Sequence, residues 1–302
     1  MHAANRIDTC MGPISLPAAV SGTFLIGGDL PVHRLGYGTM RLVGDGAWGE
    51  PGDASEAHRV LRRAVELGVT LIDTADAYGP EIAERLVCEA LHPYPANLVI
   101  ATKGGITRQG PAKTEYVGRA GYLIQCVEMS LRRLKLERIE LYQLHRIDPR
   151  TPLEESLGAL KQMQEQGKIR HIGLSEVTPE QIEEARKIVD VVTVQNRYSL
   201  ADRRHEETLT FCEKQGIGFM PWYPMAGGKM LKANSPSGPS LAQIAARHSV
   251  SVAQLSIAWL LQRSAVMLPI PGTSKVAHLE ENIAAASLQV SIEEWARVEA
   301  AY

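Results

Sequence analysis

Short apolar runs alternate with amphipathic stretches along almost all of this chain. The runs cover Leu35 to Thr39, Thr70 to Asp73, Leu98 to Thr102, Ile139 to Leu144, His171 to Leu174, Val191 to Gln195, Gly218 to Trp222 and Val266 to Pro269. Their length and β-branched content predict strands, and the 3.6-residue spacing of apolar positions between them predicts helices. Those helices span Ser55 to Leu67, Glu81 to Leu91, Leu123 to Leu134, Glu154 to Gln166, Pro179 to Ile188, His205 to Lys214, Val252 to Gln262 and Ala277 to Ala286. Ser55, Thr178 ahead of Pro179, and Ser251 read as N-caps. An unbroken series of eight strand and helix units fits an α/β fold of the closed kind, a single (β/α)8 TIM barrel, better than a doubly wound open sheet. Ahead of it, Thr23 to Ile26 and Leu30 to His33 flank Gly27-Gly28-Asp29 and predict an N-terminal β-hairpin that closes the bottom. Ile292 to Ala301 adds a C-terminal extra helix. Residues 1–20 lack periodicity and are expected to form a flexible arm, with 21–302 as one barrel domain.

In such a barrel the carboxyl ends of all strands share one face, where the functional side chains gather. Asp73, Lys103 and His145 each close an apolar run, and Tyr78 follows Asp73 by five residues. A carboxylate, a phenol, an ammonium and an imidazole are therefore expected to converge. A buried ammonium is costly unless paired, and Asp73 is the available partner for Lys103. A unit charge about 4 Å from the phenol supplies about 4 kcal/mol at an effective dielectric of about 20. Lys103 is thus expected to pull the Tyr78 pKa down against burial, leaving an acid poised near physiological pH. Tyr78 and His145 together suit a carbonyl oxygen becoming an alkoxide, and the hydride for that reaction has to come from a cofactor. The longest connections, Arg41 to Asp53, Gly104 to Gly121 and Met225 to Pro239, are expected to wall the pocket.

Charge narrows the partners. Lys+Arg number 32 against 34 Asp+Glu, a formal net charge of -2, which supplies no field for nucleic acid or an anionic membrane and favours a small molecule. No apolar stretch approaches the roughly 20 residues of a membrane span and no secretory leader pattern opens the chain, so a cytoplasmic location is expected. Cys10, Cys88, Cys126 and Cys212 are scattered, without a C-x-x-C pair, as free thiols in a reducing compartment would be. Neither a P-loop nor a glycine-rich dinucleotide fingerprint is present. His278 and Glu281 share a helix face, but two ligands without a third predict no metal site.

Four segments together resemble the aldo-keto reductase family, over nearly everything from Leu35 onward. They are Leu35-Gly36-Tyr37-Gly38-Thr39-Met40; Ile72-Asp73-Thr74-Ala75-Asp76-Ala77-Tyr78-Gly79; Gly167-Lys168-Ile169-Arg170-His171-Ile172-Gly173-Leu174-Ser175; and Ile270-Pro271-Gly272-Thr273-Ser274 followed by His278 to Asn282. The resemblance implies an NADP(H)-dependent enzyme, with NADP(H) favoured over NAD(H), that reduces a small aldehyde or ketone. It makes Tyr78 the general acid, Asp73 and Lys103 its tuning pair, and His145 the substrate-orienting group. It places Ser175 and Gln195 on the nicotinamide carboxamide and Trp222 against the ring, with Gly38, Thr39, Met40 and Tyr223 as further cofactor contacts. Met225, Ala226, Gly227 and Lys229 fall to the pyrophosphate; Gly272, Thr273, Ser274, Lys275, His278, Glu281 and Asn282 fall to the adenosine end. Gly272 and His278 stand where many members carry a lysine and an arginine for the 2′-phosphate, and Glu176 stands where an asparagine often follows the serine. The segments Leu35 to Pro51 and Ser264 to Asn282 are similar to a bacterial branch that includes pyridoxal reductases, which makes pyridoxal a candidate substrate. A regulatory or binding module of the same fold with little turnover is the alternative class.

Overall fold

The computed structural model describes residues 16–224 and 241–299. A two-stranded antiparallel hairpin comes first, β1 (Thr23–Ile26) and β2 (Leu30–His33). The alternation opens with β3 (Tyr37–Gly38), α1 (Ala54–Glu66), β4 (Leu71–Asp73), α2 (Ile82–Leu91) and β5 (Val99–Gly104). A second hairpin, β6 (Ile106–Gly110) and β7 (Lys113–Tyr116), precedes α3 (Ala120–Leu134), β8 (Ile139–Leu144), α4 (Leu153–Glu165) and β9 (Ile169–Ser175). The chain continues through α5 (Pro179–Ala185), β10 (Val191–Gln195), α6 (Glu206–Gln215), β11 (Gly218–Phe219) and α7 (Leu241–Arg247). It ends with α8 (Val252–Arg263), α9 (Val276–Ala284) and α10 (Ile292–Glu299).

β3, β4, β5, β8, β9, β10 and β11 lie side by side in one parallel sheet. The sheet closes through the segment around Met267. Phe219 N–H donates to Val266 O at 2.8 Å and Leu268 N–H to Phe219 O at 2.7 Å, while on the far side Gly36 N–H donates to Pro269 O at 2.9 Å. The predicted eighth strand therefore occupies its place as a single bridge rather than a ladder, because Pro269 and Pro271 have no N–H to contribute. The first strand is also shorter than predicted: beyond Gly38 the chain winds into a 3-10 turn, Thr39–Leu42. The seam between first and last strands is tight. A Cβ added at Gly38 would lie 2.7 Å from Ile270 O, and one at Gly272 would lie 2.7 Å from Gly38 O. Both glycines, expected to meet a cofactor, are thus already required by barrel closure.

The hairpin does plug the bottom. Ile26, Leu30 and Val32 are buried in one apolar cluster with Leu268 and with Leu71, Val99 and Leu141, which lie in the amino-terminal halves of their strands. At its turn, Asp29 accepts from Arg170 Nη2 at 2.9 Å and pairs with His171 Nε2 at 2.7 Å, pinning it to the start of β9. The end of the expected arm is ordered: Pro17–Ser21 is a 3-10 turn, held by Ala18 N–H to Leu67 O at 2.9 Å. Residues 1–15 lie outside the described part.

Thr178 and Ser251 build full capping boxes with Gln181 and Gln254. At α1 the cap is Asp53, accepting from Glu56 N–H at 2.9 Å, and Ser55 falls inside the first turn. The hairpin β6–β7 and helix α7 occupy stretches without a clear period: β7 is solvated on both faces and α7 has only seven residues. No described helix is long and apolar enough to cross a membrane.

The seam yields a stability test. Gly38→Ala drives a methyl group into a backbone carbonyl and should cost about 1–3 kcal/mol in urea unfolding. Gly52→Ala, whose Cβ meets nothing within 4 Å, should stay within about 0.5 kcal/mol of the parent. Equal stabilities of the two variants would show that the seam can open to take a methyl group.

Candidate active site

Parallel register brings the four expected residues together. Asp73 ends β4, Lys103 lies near the end of neighbouring β5, His145 follows β8, and Tyr78 stands on the loop after β4. Lys103 is wholly buried, and its ammonium donates to Asp73 Oδ2 at 2.7 Å, Thr74 O at 2.8 Å and Tyr78 Oη at 3.2 Å. Every N–H of the ammonium is satisfied. The second Asp73 oxygen accepts from Gln195 Nε2 at 2.8 Å and Gln143 Nε2 at 3.3 Å. Tyr78 and His145 meet edge to face with centroids 5.9 Å apart.

The electrostatics overturn one expectation. Burial raises the Tyr78 phenol above its ordinary value, and the opposing pull of Lys103 is not enough to reverse it. The phenol is a firmly neutral group here, not one poised near pH 7. Burial works on Lys103 as well, but Asp73 and Tyr78 outweigh it and hold the ammonium above its usual range. His145 is pushed well down by burial and by the cations Lys103, Arg146 and Arg108, so it is a neutral imidazole; its Nδ1 is buried without a partner among the described residues.

These groups open into a cleft of about 1220 Å³ whose lining includes Gly38, Met40, Ser175, Gln195, Trp222, Tyr223, Gly272, Ser274 and Lys275. Several of them are already engaged. The Gln195 amide nitrogen is committed to Asp73, and Ser175 Oγ donates to Gln195 O and accepts from Arg146 Nη1, each at 2.8 Å. Thr39 is buried with its hydroxyl on Thr74. Thr273 turns inward, accepting from Tyr37 Oη at its carbonyl and from Lys275 N–H at its hydroxyl. Asn282 is buried, His278 and Glu281 are exposed on α9, and none of these three lines the cleft. Met225, Ala226, Gly227 and Lys229 lie outside the described residues.

Glu176 has a definite place. Its backbone is left-handed, at φ 56°, which turns the carboxylate to accept from Trp222 Nε1 at 2.7 Å and Arg197 N–H at 2.6 Å. Asn196 Nδ2 meets His205 Nδ1 at 3.0 Å, so the His205 proton sits on Nε2, 3.7 Å from Glu176. Burial opposes ionisation of Glu176, yet these donors bring its pKa down to about 2. The carboxylate therefore fixes the indole at the cleft wall.

Other functional candidates escaped sequence reasoning. Gln143 alternates inward on β8 without ending an apolar run. Arg108 and Arg146 carry no pattern beyond being single charges near strand ends. Asp76 sits between Ile72 and Gly79, but it is burial, with nearby Glu84, that pushes its carboxyl up to about 7.

A family model described as the Aldo/keto reductase family matches residues 34–302. An uncharacterized oxidoreductase of Schizosaccharomyces pombe is 47% identical over 285 residues, covering 94% of this chain and 91% of the relative. Pyridoxine 4-dehydrogenase of Escherichia coli is 42% identical over 279 residues, covering 90% and 96%. Among solved structures, an aldo-keto reductase from Klebsiella pneumoniae in complex with NADPH superposes with a TM-score of 0.78 at 26% identity, covering 92% of this chain and 94% of that one.

Removing the Glu176 carboxylate should free the indole. Glu176→Ala is expected to red-shift the Trp222 emission and lower its anisotropy, read as the difference from a Trp222→Phe background because the chain has 4 tryptophans. Glu176→Gln keeps an acceptor for Nε1 and should retain most of the parent spectrum. The same spectrum in the alanine variant would mean that packing alone holds the ring.

Proposed function

The chain belongs to the aldo/keto reductase family, and on that footing we propose that it is an NADP(H)-dependent carbonyl reductase with Tyr78 as its general acid. The observation that carries this is one ammonium, on Lys103, joining Asp73 to the phenol of Tyr78 at the floor of the cleft, with His145 beside it. When bound, a reduced nicotinamide supplies the hydride. The chain supplies the rest. Tyr78 Oη and His145 face the position of a carbonyl oxygen; the neutral imidazole donates an N–H without bringing a charge, and the neutral phenol still holds its proton when that oxygen turns basic. Lys103, held protonated chiefly by Asp73 against its burial, then stabilises the phenolate left behind.

The cleft fits an extended dinucleotide. Its wall over the ends of β9, β10 and β11 and the segment after them offers Ser175, the indole of Trp222, the bare backbone of Gly272, and Ser274 and Lys275 at the amino end of α9. Two features temper the choice between NADPH and NADH: Thr273 is used internally, and the Glu56 carboxylate already accepts from Val276 N–H at 3.2 Å, beside Lys275. A 2′-phosphate at Lys275 meets that carboxylate as well as the ammonium. The preference for NADPH is therefore real but modest. As to substrate, the Escherichia coli relative's name makes the pyridoxine and pyridoxal pair one candidate.

Tyr78→Phe keeps the shape of the site and removes its proton. Under conditions where chemistry limits turnover, kcat should fall by roughly 10² to 10⁴ with little change in cofactor affinity. More than about half of parental kcat in that variant would exclude Tyr78 as the acid.

Cofactor choice is checked by the ratio of kcat/KM with NADPH to that with NADH. Lys275→Ala should lower the ratio by roughly tenfold, and Glu56→Gln should raise it, since a repelling carboxylate is lost. A ratio indifferent to both changes would put the 2′-phosphate elsewhere.

A further inference from the structure

The half of the cleft away from the proposed cofactor wall is formed by the loop after β3 and the hairpin β6–β7. Met40, Leu42, Val43 and Ile106 give it an apolar lining, closed by Tyr116. Arg108, on β6, reaches into it. Its Nη2 donates to Gly46 O and to Ala47 O, the latter at 2.8 Å, which clasps the hairpin to the loop. That leaves Nη1 without a protein partner among the described residues, and Nε buried with none. Arg108 is in no ion pair among the described residues. Glu50, an acid of the same wall, is taken by Arg85 at 2.5 Å, and Asp45 is exposed at the rim. The charge of Arg108 nevertheless reaches the reacting groups, since it is one of the cations that hold His145 down and it interacts with Tyr78. Other cations lining the cleft lie towards the cofactor wall: the Arg41 stem is 3.4 Å from where a Gly272 Cβ would stand, and Arg146 is bonded to Ser175.

Resting on the reductase function proposed above, we infer that the preferred substrate carries an oxyanion, a carboxylate or a phosphate, neither of which pyridoxal has, and that Arg108 binds it while its carbonyl meets Tyr78 and His145. A guanidinium fixed by two carbonyls is already oriented, so little side-chain freedom is lost when the anion binds. An aromatic or short aliphatic spacer suits the apolar lining between the two ends.

The test compares three benzaldehydes that share a ring and differ in their para group: 4-methylbenzaldehyde, 4-carboxybenzaldehyde and 4-formylphenyl phosphate, each with saturating NADPH. The parent protein should show kcat/KM at least roughly tenfold higher for one or both anionic aldehydes than for the neutral one. Which of the two is favoured tells carboxylate from phosphate. Arg108→Gln should bring that ratio to about one, and Arg108→Lys, which keeps the charge and loses the planar fork, should restore part of it. If Arg108 only clasps the hairpin, its loss slows all three aldehydes alike and leaves the ratio unchanged, which overturns the inference. So does a parent protein that reduces all three equally well, while the reductase function stands. Absence of turnover with every aldehyde strikes the reductase function instead. The site is then read by calorimetric titration with 4-carboxybenzaldehyde, in which equal affinities of the parent and Arg108→Gln overturn the inference on their own.

Discussion

An ammonium with no exposed surface has to place all its N–H bonds on protein acceptors, and Lys103 places them on Asp73, Thr74 and Tyr78. Taking away one partner of such a pair leaves an uncompensated buried charge, at about 3–5 kcal/mol. Asp73 is in turn satisfied by Gln143 from β8 and Gln195 from β10, so β4, β5, β8 and β10 all contribute to one polar layer. Packing in that layer is not adjustable piece by piece. A shift of any one strand end leaves a donor or an acceptor without its partner in a dry environment. The position of the Tyr78 hydroxyl is therefore set by the barrel, not by the loop that carries it.

Stability and chemistry are separated along the barrel axis. At the bottom, β1 and β2 fill the opening with Ile26, Leu30 and Val32, and their polar groups are met locally, Asp29 by Arg170 and His171, and His33 by Thr70 and Gly68. At the side, closure relies on carbonyls of a proline-containing segment and on two glycines rather than on a regular eighth strand. With those two problems solved elsewhere, the top can carry buried charge and long loops.

Much of this was legible in the sequence because it is written as interruptions of a pattern. Asp73, Lys103 and His145 are conspicuous where they end apolar runs, and the spacing of Tyr78 follows from Asp73. Thr178 and Ser251 are legible for the same reason, as polar residues opening a periodic stretch. What could not be read is which of two acceptors a side chain chooses. Gln195 turns to Asp73, and Glu176 turns to Trp222 because its own backbone is left-handed. The sign of the Tyr78 shift was missed because charge proximity can be guessed from topology, whereas the desolvation opposing it depends on complete burial. The hairpin β6–β7 was missed because β7, exposed on both faces, has no alternation to display.

Net charge and neutrality are arranged in a consistent order outward from the reacting point. Tyr78 and His145, the two groups in reach of the substrate in the proposed reaction, are both neutral at rest. Around them stand Lys103, Arg146 and Arg108, of which, among the described residues, only Lys103 has a carboxylate bonded to it. In the proposed reaction, negative charge that develops on a carbonyl oxygen, and then on the phenol, meets cations already fixed by bonds to backbone carbonyls or side chains. Such a field does not have to reorganise during the reaction, the condition under which low local polarity helps rather than hinders. A raised phenol pKa is compatible with acid catalysis on these terms. The proton is held while the site is at rest, and its loss becomes favourable only when the substrate oxygen is more basic than the phenolate that Lys103 is placed to stabilise.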